Sequence, residues 1–303
     1  MRVVSLLPAA TEIVAALGRT ADLVGVSHEC DYPPEVAARP RVTHCEIHGG
    51  GLASEETDRW VADALARTGT LYTLDEPLVR RLAPDVVITQ QLCDVCAVGY
   101  ESVTAFAAAL ETPPLVVSLA PSSVEDVLQD VDRVARALGA VAQGAEVVTR
   151  LRERIAAVRQ RAAELPRRRC VLLEWIAPPY RSGHWDPELV ELAGGVELLG
   201  RPGEAAARVP WEAVVEAAPD VLVLACCGYD VVRTLADVPL MRERAGWSSI
   251  PAVRNGEVWV VDGSAYFSRP GPRIVDSLEL LATILHPDVF PATVSPHVAV
   301  RVR

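Results

Sequence analysis

The run VAQGAEVVTRLRERIAAVRQRAAEL, residues 141–165, decides the fold. Val148, Leu151, Ile155, Val158, Ala162 and Leu165 are separated alternately by three and four residues, the spacing that lays apolar side chains along one face of a helix. Arg150, Arg152, Arg154, Arg159 and Arg161 fall on the other face, where they can stay in water. At about 1.5 Å of rise per residue the run is roughly 35–40 Å long, enough to reach across a small domain. Two similar phrases flank it, LAPDVVIT at 82–89 and AAPDVLVLA at 217–225. A long one-sided helix between two copies of the same turn into a strand predicts two lobes on one spine.

Bulk properties agree. A chain of 303 residues exceeds one typical core. Its net charge of −11 argues against nucleic acid or an anionic membrane as partner. Uninterrupted apolar runs stay under about ten residues, too short to insert across a bilayer. Met1-Arg2 leads directly into VVSLLP, which reads as a buried strand with no signal-peptide core. That reading places the protein in the cytoplasm, or in the periplasm or anchored at the surface if the chain was trimmed. Seven cysteines in a reducing compartment are thiols or ligands rather than disulfides.

Taken in order, strands are expected at 3–7, 23–27, 70–73, 86–89, 115–119, 170–175, 221–225 and 258–261. Helices are expected after Pro8, over 55–68 and 76–82, up to Leu110, from Ser122 to Gly139, and over 187–193, 211–217 and 274–285. RVTHCEIHGGGLAS at 41–54 reads as a loop, and the tail after His286, with Pro287, Pro291 and Pro296, as loosely held. Strands alternating with helices predict parallel sheets covered on both faces. The boundaries follow: a lobe over 1–140, the spine over 141–165, a lobe over 166–286 and a tail over 287–303.

In parallel α/β sheets ligands bind beyond the carboxyl ends of the strands, so the residues there matter most. They are His28, Glu29 and Cys30; then Cys93 and Cys96; then Trp175, Tyr180, His184 and Trp185; then Cys226, Cys227 and Tyr229; then Tyr266 and Phe267. Cys93-x-x-Cys96 is half of a zinc or cluster site, completed by Cys30, Cys226, Cys227, His28, His44 or Cys45, or else these are small buried residues. Trp175, Tyr180, Trp185, Tyr229 and Tyr266 suit a flat, partly apolar ligand, or else plug the rims of the lobes. His28 or His184 could approach a metal held in such a ring. Arg269 and Arg273 precede the last helix, where they suit an anion or a solvated turn. Nucleophile-elbow, zinc-protease, Walker and dinucleotide signatures do not occur.

These motifs carry a resemblance. SLLPAATEIVAALG, LVGVSHECDYPPE, the repeated APDV phrases, the spine and AVRNGEVWVVDG, in that order over about residues 2–286, resemble the cobalamin-binding solute receptors of ABC importers. Those belong to the wider group of helical-backbone metal-chelate receptors that also bind haem and siderophores. The resemblance implies two parallel-sheet α/β lobes joined by one long helix, with the ligand in a cleft between the lobes. It matches Glu76 and Glu212 to acidic residues that such receptors present to arginines of a membrane permease. HECDYP, CDVC and GHWDPE, with no visible secretion signal, mark a cytoplasmic branch.

The expectation is therefore non-catalytic binding of a corrinoid or related metal chelate. Ring contact falls to His28, Trp175, Tyr180, His184, Trp185, Tyr229, Tyr266 and Arg269. A permease or an intracellular acceptor protein would be the partner. The rival expectation is a metalloprotein or enzyme on the same scaffold. It would hold zinc or an iron–sulfur cluster through Cys30, Cys93, Cys96, Cys226 and Cys227, with Glu29 or Glu174 as acid or base.

Overall fold

Each APDV phrase stops a helix and starts a strand by the same steps. The computed structural model describes residues 1–45, 52–91 and 98–302. The chain forms two compact units. One comprises Met1–Gly51, Arg59–Pro121 and Glu125–Leu151; the other comprises Leu52–Asp58, Ser122–Val124 and Arg152–Arg303.

In chain order the first elements are β1 (Val3–Ser5), α1 (Pro8–Ala16), β2 (Leu23–Val26), β3 (Thr43–Cys45), α2 (Ser54–Thr68) and β4 (Tyr72–Leu74). After them come α3 (Glu76–Leu82), β5 (Val86–Gln90), α4 (Tyr100–Ala108), β6 (Leu115–Leu119), α5 (Val124–Ala137) and α6 (Val141–Ala162). The second half runs through β7 (Arg168–Trp175), β8 (Tyr180–Arg181), α7 (Asp186–Leu192), β9 (Gly195–Glu197), β10 (Ala207–Arg208) and α8 (Trp211–Ala217). It closes with β11 (Val221–Leu224), α9 (Val231–Arg242), α10 (Pro251–Arg254), β12 (Val258–Val261), α11 (Ile274–Leu285) and β13 (Ala299–Val302).

A residue before proline is barred from the right-handed helical region, so a helix that meets Ala-Pro must leave it. Ala83 and Ala218 do so in the left-handed region, with φ of 40° and 46°. The following aspartates then close on an arginine at the start of the neighbouring strand, Arg2 just before β1 and Arg169 the second residue of β7. Asp85 Oδ2 accepts from the Arg2 amide (2.7 Å), and Asp220 Oδ2 from the Arg169 amide (3.3 Å). The Asp85 and Asp220 amides donate back to the carbonyls of Arg2 (2.8 Å) and Arg169 (2.9 Å). The same arginines donate through their side chains to the last helical carbonyls, Leu82 (2.7 Å) and Ala217 (2.5 Å). Carbonyls left over at a helix end are thus satisfied twice by one device.

This device sets the register of a parallel sheet in each unit. The first unit orders its strands β2-β1-β5-β6, all parallel. In the second unit β9, β7, β11 and β12 are parallel neighbours in that order. VVITQ of β5 and VLVL of β11 are buried throughout, as strands covered on both faces must be. The first core joins Val4, Leu6, Val42, Val79, Val87 and Phe106. The second joins Val171, Leu173, Leu222, Leu224, Met241 and the stacked pair Trp211 and Trp247, whose rings lie 6.2 Å apart. Full burial of each such side chain is worth about 1.5–3 kcal/mol, which holds helices of only seven residues in place.

The spine behaves as its stripe predicts. Val148, Leu151, Val158 and Ala162 are buried and Ile155 half-buried. The boundary between the two units falls within α6, after Leu151. The helix ends at Ala162, because Pro166 pulls Leu165 out of helical backbone.

Several expectations need correction. Not all of the spine's arginines stand in water: Arg154 donates to Glu279 (2.9 and 2.7 Å) and to Asp276 (2.6 Å) on α11. The sheets are not wholly parallel, since β8, β10 and β13 run antiparallel in the second unit. Thr43–Cys45 is no loop; it pairs with Tyr72–Leu74. The tail is tied down at Ala299–Val302, which pair with β12 from Val261 back to Val258. Helix α9 has no counterpart among the expected elements, because Pro239 lies inside it and interrupts the pattern.

Candidate functional site

In the first unit the strand ends carry small hydroxyls around one imidazole. Ser5 closes β1, and its hydroxyl takes a bond from Thr11 (2.8 Å) on α1; Thr11 Oγ1 also lies 3.0 Å from Cys30 Sγ. Beyond β2, Thr43 Oγ1 donates to Ser27 Oγ (3.2 Å). Thr43 Oγ1 also accepts the His28 amide (3.0 Å) and lies 2.7 Å from His28 Nδ1. The other ring nitrogen, Nε2, lies 3.9 Å from Glu29 Oε1. Burial, followed by the charges of His44 and Arg41, holds the His28 pKa below its ordinary value, so the ring is neutral at pH 7. Its face packs on Tyr72, with ring centroids 5.3 Å apart, and Tyr72 donates to Glu29 Oε1 (3.2 Å).

In the second unit the strand ends are aromatic and cationic. Trp175 ends β7 and Tyr229 follows β11; their rings lie 4.7 Å apart. Arg233, one turn into α9, places its guanidinium 4.2 Å from the Tyr229 centroid. These groups hold the residues that open α2. Trp175 Nε1 donates to the Ser54 carbonyl (3.2 Å), Tyr229 to Thr57 Oγ1 (3.0 Å) and Tyr180 to Asp58 Oδ1 (3.2 Å). Arg208 donates to Asp58 Oδ2 (2.6 Å) and Arg233 to the Leu52 carbonyl. Asp237 on α9 accepts the Ser54 amide (2.9 Å), a bond that a helix start otherwise lacks.

The other expected ligand residues are dispersed. Trp185 is 6% exposed and donates to the Phe267 carbonyl (2.9 Å). His184 stacks on it at 5.6 Å, has φ of 52°, and keeps a buried Nδ1 with no hydrogen-bond partner. Burial holds its pKa low as well. Tyr266 lies in a single wide turn, Gly263–Phe267, under Arg273, whose guanidinium is 5.4 Å from the ring. Arg269 is buried, with Nη2 3.5 Å from Ser264 Oγ.

Among the described residues the thiols do not gather into a metal-ligand set. Cys30 and Cys226 are buried, and burial pushes the Cys226 thiol well above its ordinary range. Cys227 is exposed and Cys45 half-buried. Cys93 and Cys96 lie outside the described residues. Among the described residues no three histidines, cysteines or acids converge as a metal-ligand set. Cys170 is buried core, as its position at the head of a strand predicts. Of the two glutamates considered as acid or base, Glu29 accepts from Tyr72 (3.2 Å) and Glu174 from the Gly183 amide (2.7 Å).

Glu76 and Glu212 stand at matching places in the repeat. Each lies in the first turn of a seven-residue helix that ends on the left-handed alanine. Glu212 is exposed, and Glu76, half exposed, pairs with Arg80 one turn on (3.1 Å).

Some residues of these networks carry no motif. Asp58, Arg208, Arg233 and Asp237 escape sequence reading because their partners are remote; only the Arg233–Asp237 spacing on one helix face gives a local signal. Glu197 accepts from the Leu172 (3.0 Å), Leu199 (3.1 Å) and Gly200 (3.0 Å) amides, and burial raises its pKa to about 7. Asp186 is also buried, and burial, with Glu174 next in weight, raises its pKa well above the carboxylate range.

Residues 3–265 match the family described as Periplasmic binding protein, and the chain belongs to that family. It is 25% identical over 304 residues to YvrC of Bacillus subtilis, an uncharacterized ABC transporter substrate-binding lipoprotein, covering 95% of this chain and 81% of that one. With the vitamin B12-binding protein of Vibrio cholerae it shares 23% over 296 residues, 94% of this chain and 88% of the other. The fold is that of the periplasmic heme-binding protein RhuT from Roseiflexus sp. RS-1 in its apo form. The TM-score is 0.70 and the identity 24%, over 95% of this chain and 98% of that one. The two-lobed α/β architecture is thus a binding-protein fold.

Proposed function

We propose that this protein is a non-catalytic receptor for a corrinoid or related metal chelate, delivered to an ABC permease. The observation that carries the reading is the paired placement of Glu76 and Glu212. Each is presented near the start of a short helix in one copy of a repeated helix–turn–strand unit. Two matching acids on two matching units suit a partner with two matching basic sites. The relatives named for B12 and heme support a flat chelate as cargo. In the first unit His28, whose pKa is held low by burial, is the imidazole best suited to a metal. In the second unit Trp175 and Tyr229 offer ring surfaces of the kind a flat chelate packs on.

Titration of the purified protein with cyanocobalamin and with hemin, followed by tryptophan fluorescence and visible absorption, tests this. The expected result is 1:1 binding of at least one chelate with Kd of about 1 µM or tighter. His28→Ala should weaken it by about tenfold and change the metal's visible bands. Absence of binding to either chelate, with stoichiometric zinc or iron in protein purified without oxygen, would overturn the reading. Glu76→Ala and Glu212→Ala should leave chelate affinity unchanged and each reduce association with the cognate permease.

A further inference from the structure

The donors at the strand ends of the second unit all reach one segment, Leu52–Asp58, which lies more than a hundred residues earlier in the chain. Trp175 Nε1 donates to the Ser54 carbonyl (3.2 Å), Tyr229 to Thr57 (3.0 Å) and Arg233 to the Leu52 carbonyl. Tyr180 and Arg208 together hold the Asp58 carboxylate, at 3.2 and 2.6 Å, and Arg208 Nε also donates to the Tyr180 hydroxyl (2.8 Å). The segment thus presents two carbonyls, a hydroxyl and a carboxylate to an indole N–H, two phenol hydroxyls and two guanidinium groups.

The seat is imperfect. Ser54 Oγ is buried with no hydrogen-bond partner, and Trp175 Nε1 is shared between the Ser54 carbonyl and that of Ala177 (3.1 Å). The Arg208 side chain is 56% exposed, so its ion pair with Asp58 is one that water competes for. Arg233 also has a carboxylate of its own helix, Asp237, at 3.0 Å. Arg208 has Asp58 as its ion-pair partner among the described residues. Removal of the segment therefore leaves a specific gap, a carboxylate slot made by Tyr180 and Arg208 beside the Trp175–Tyr229 rings.

We infer that residues 52–58 are an internal occupant of a ligand subsite, and that a planar chelate displaces them by placing its own carboxylate on Arg208 and Tyr180. The inference rests on the receptor reading and narrows its ligand. Unpaired donors beside a ring surface cost free energy, so the incoming ligand must bring acceptors, and a charged one for Arg208. A chelate fringed with carboxylates meets that requirement; one fringed with neutral amides or esters does not.

The test compares hemin with its dimethyl ester on wild type, Asp58→Asn and Arg208→Leu. Wild type should bind hemin at least tenfold more tightly than the ester. Asp58→Asn should raise hemin affinity about fivefold, because the competing carboxylate is gone, and leave the ester's affinity nearly unchanged. Arg208→Leu should bring hemin down to the level of the ester. Tyr180→Phe, which removes the second donor without changing charge, should lower hemin affinity severalfold and serves if either other variant fails to fold. Equal binding of hemin and ester by wild type would overturn the inference alone and leave the receptor reading standing. No binding of hemin, ester or cyanocobalamin would overturn both.

Discussion

The two units share a sheet and differ at its edges. β2-β1-β5-β6 and β9-β7-β11-β12 are the same order of parallel strands, each pinned by an arginine and an Ala-Pro-Asp turn. In the first unit β6 ends the sheet, and Leu115 on it is 54% exposed. In the second, β13 covers β12, and β8 extends the β7 edge beyond the point where β9 stops. The amide of Leu172, between those two partners, is satisfied by Glu197. The repeated core makes a sheet, and the additions to one copy turn its strand ends into an aromatic wall. The first unit keeps its strand ends polar and compact, around Ser27, His28 and Thr43.

The contrast can be tested from its largest expected effect downward. A methyl group on Gly183 would meet backbone atoms of Ala206, Ala205 and Glu204 at 2.2–2.6 Å, whereas one on Gly25 would meet only the side chains of Val42 and Leu82 at 2.7 and 2.8 Å. Side chains can repack more readily than backbone can move aside. Gly183→Ala should therefore cost about 3 kcal/mol in urea denaturation and Gly25→Ala about 1–2 kcal/mol.

Next comes the acid that replaces a strand. Glu197 has a folded-state pKa of about 7, above its ordinary value, because of burial. The folded state then holds a proton that the unfolded state has lost. The stabilising contribution is complete below about pH 4 and fades as pH rises to about 7, over a span of about 3 kcal/mol. Glu197→Gln should flatten that slope in denaturation curves collected from pH 4 to 8. A slope unchanged in the variant would remove Glu197 as its source.

The clamps rank third. Asp85 makes the shorter bond to its arginine amide, 2.7 Å against 3.3 Å for Asp220. Asp85→Ala should cost about 1.5 kcal/mol and Asp220→Ala about half as much. Equal losses would show that the two turns are interchangeable. The smallest effect has the opposite sign. Ala83→Gly and Ala218→Gly relieve a left-handed backbone, and each should stabilise by up to about 1 kcal/mol.

Much of this architecture is legible in local chemistry. Helices 76–82, 211–217 and 274–285 and strands 115–119 and 258–261 have the ends that their caps, prolines and apolar runs imply. What escapes is set by partners far along the chain. Thr43–Cys45 and Ala299–Val302 become strands because an edge awaits them, and nothing in three or four residues announces it. Pro239 conceals α9 because it reads as a breaker, yet the helix continues through it. For the candidate site, sequence reading finds the strand-end loops and their aromatics. It cannot show that Trp175, Tyr180 and Tyr229 face residues 52–58, since no local pattern encodes a bond across more than a hundred residues.

The bond from the Ser54 amide to Asp237 has a consequence for synthesis. A chain leaves the ribosome from its N-terminus, so α2 emerges long before the acid that caps its first residue. Until residue 237 has been made and α9 has formed, the Ser54 amide lacks this acceptor, while the neighbouring Ala53 amide already has the Glu56 carboxylate at 3.1 Å. The opening turn of α2 is thus fully secured only after more than 180 further residues have been made.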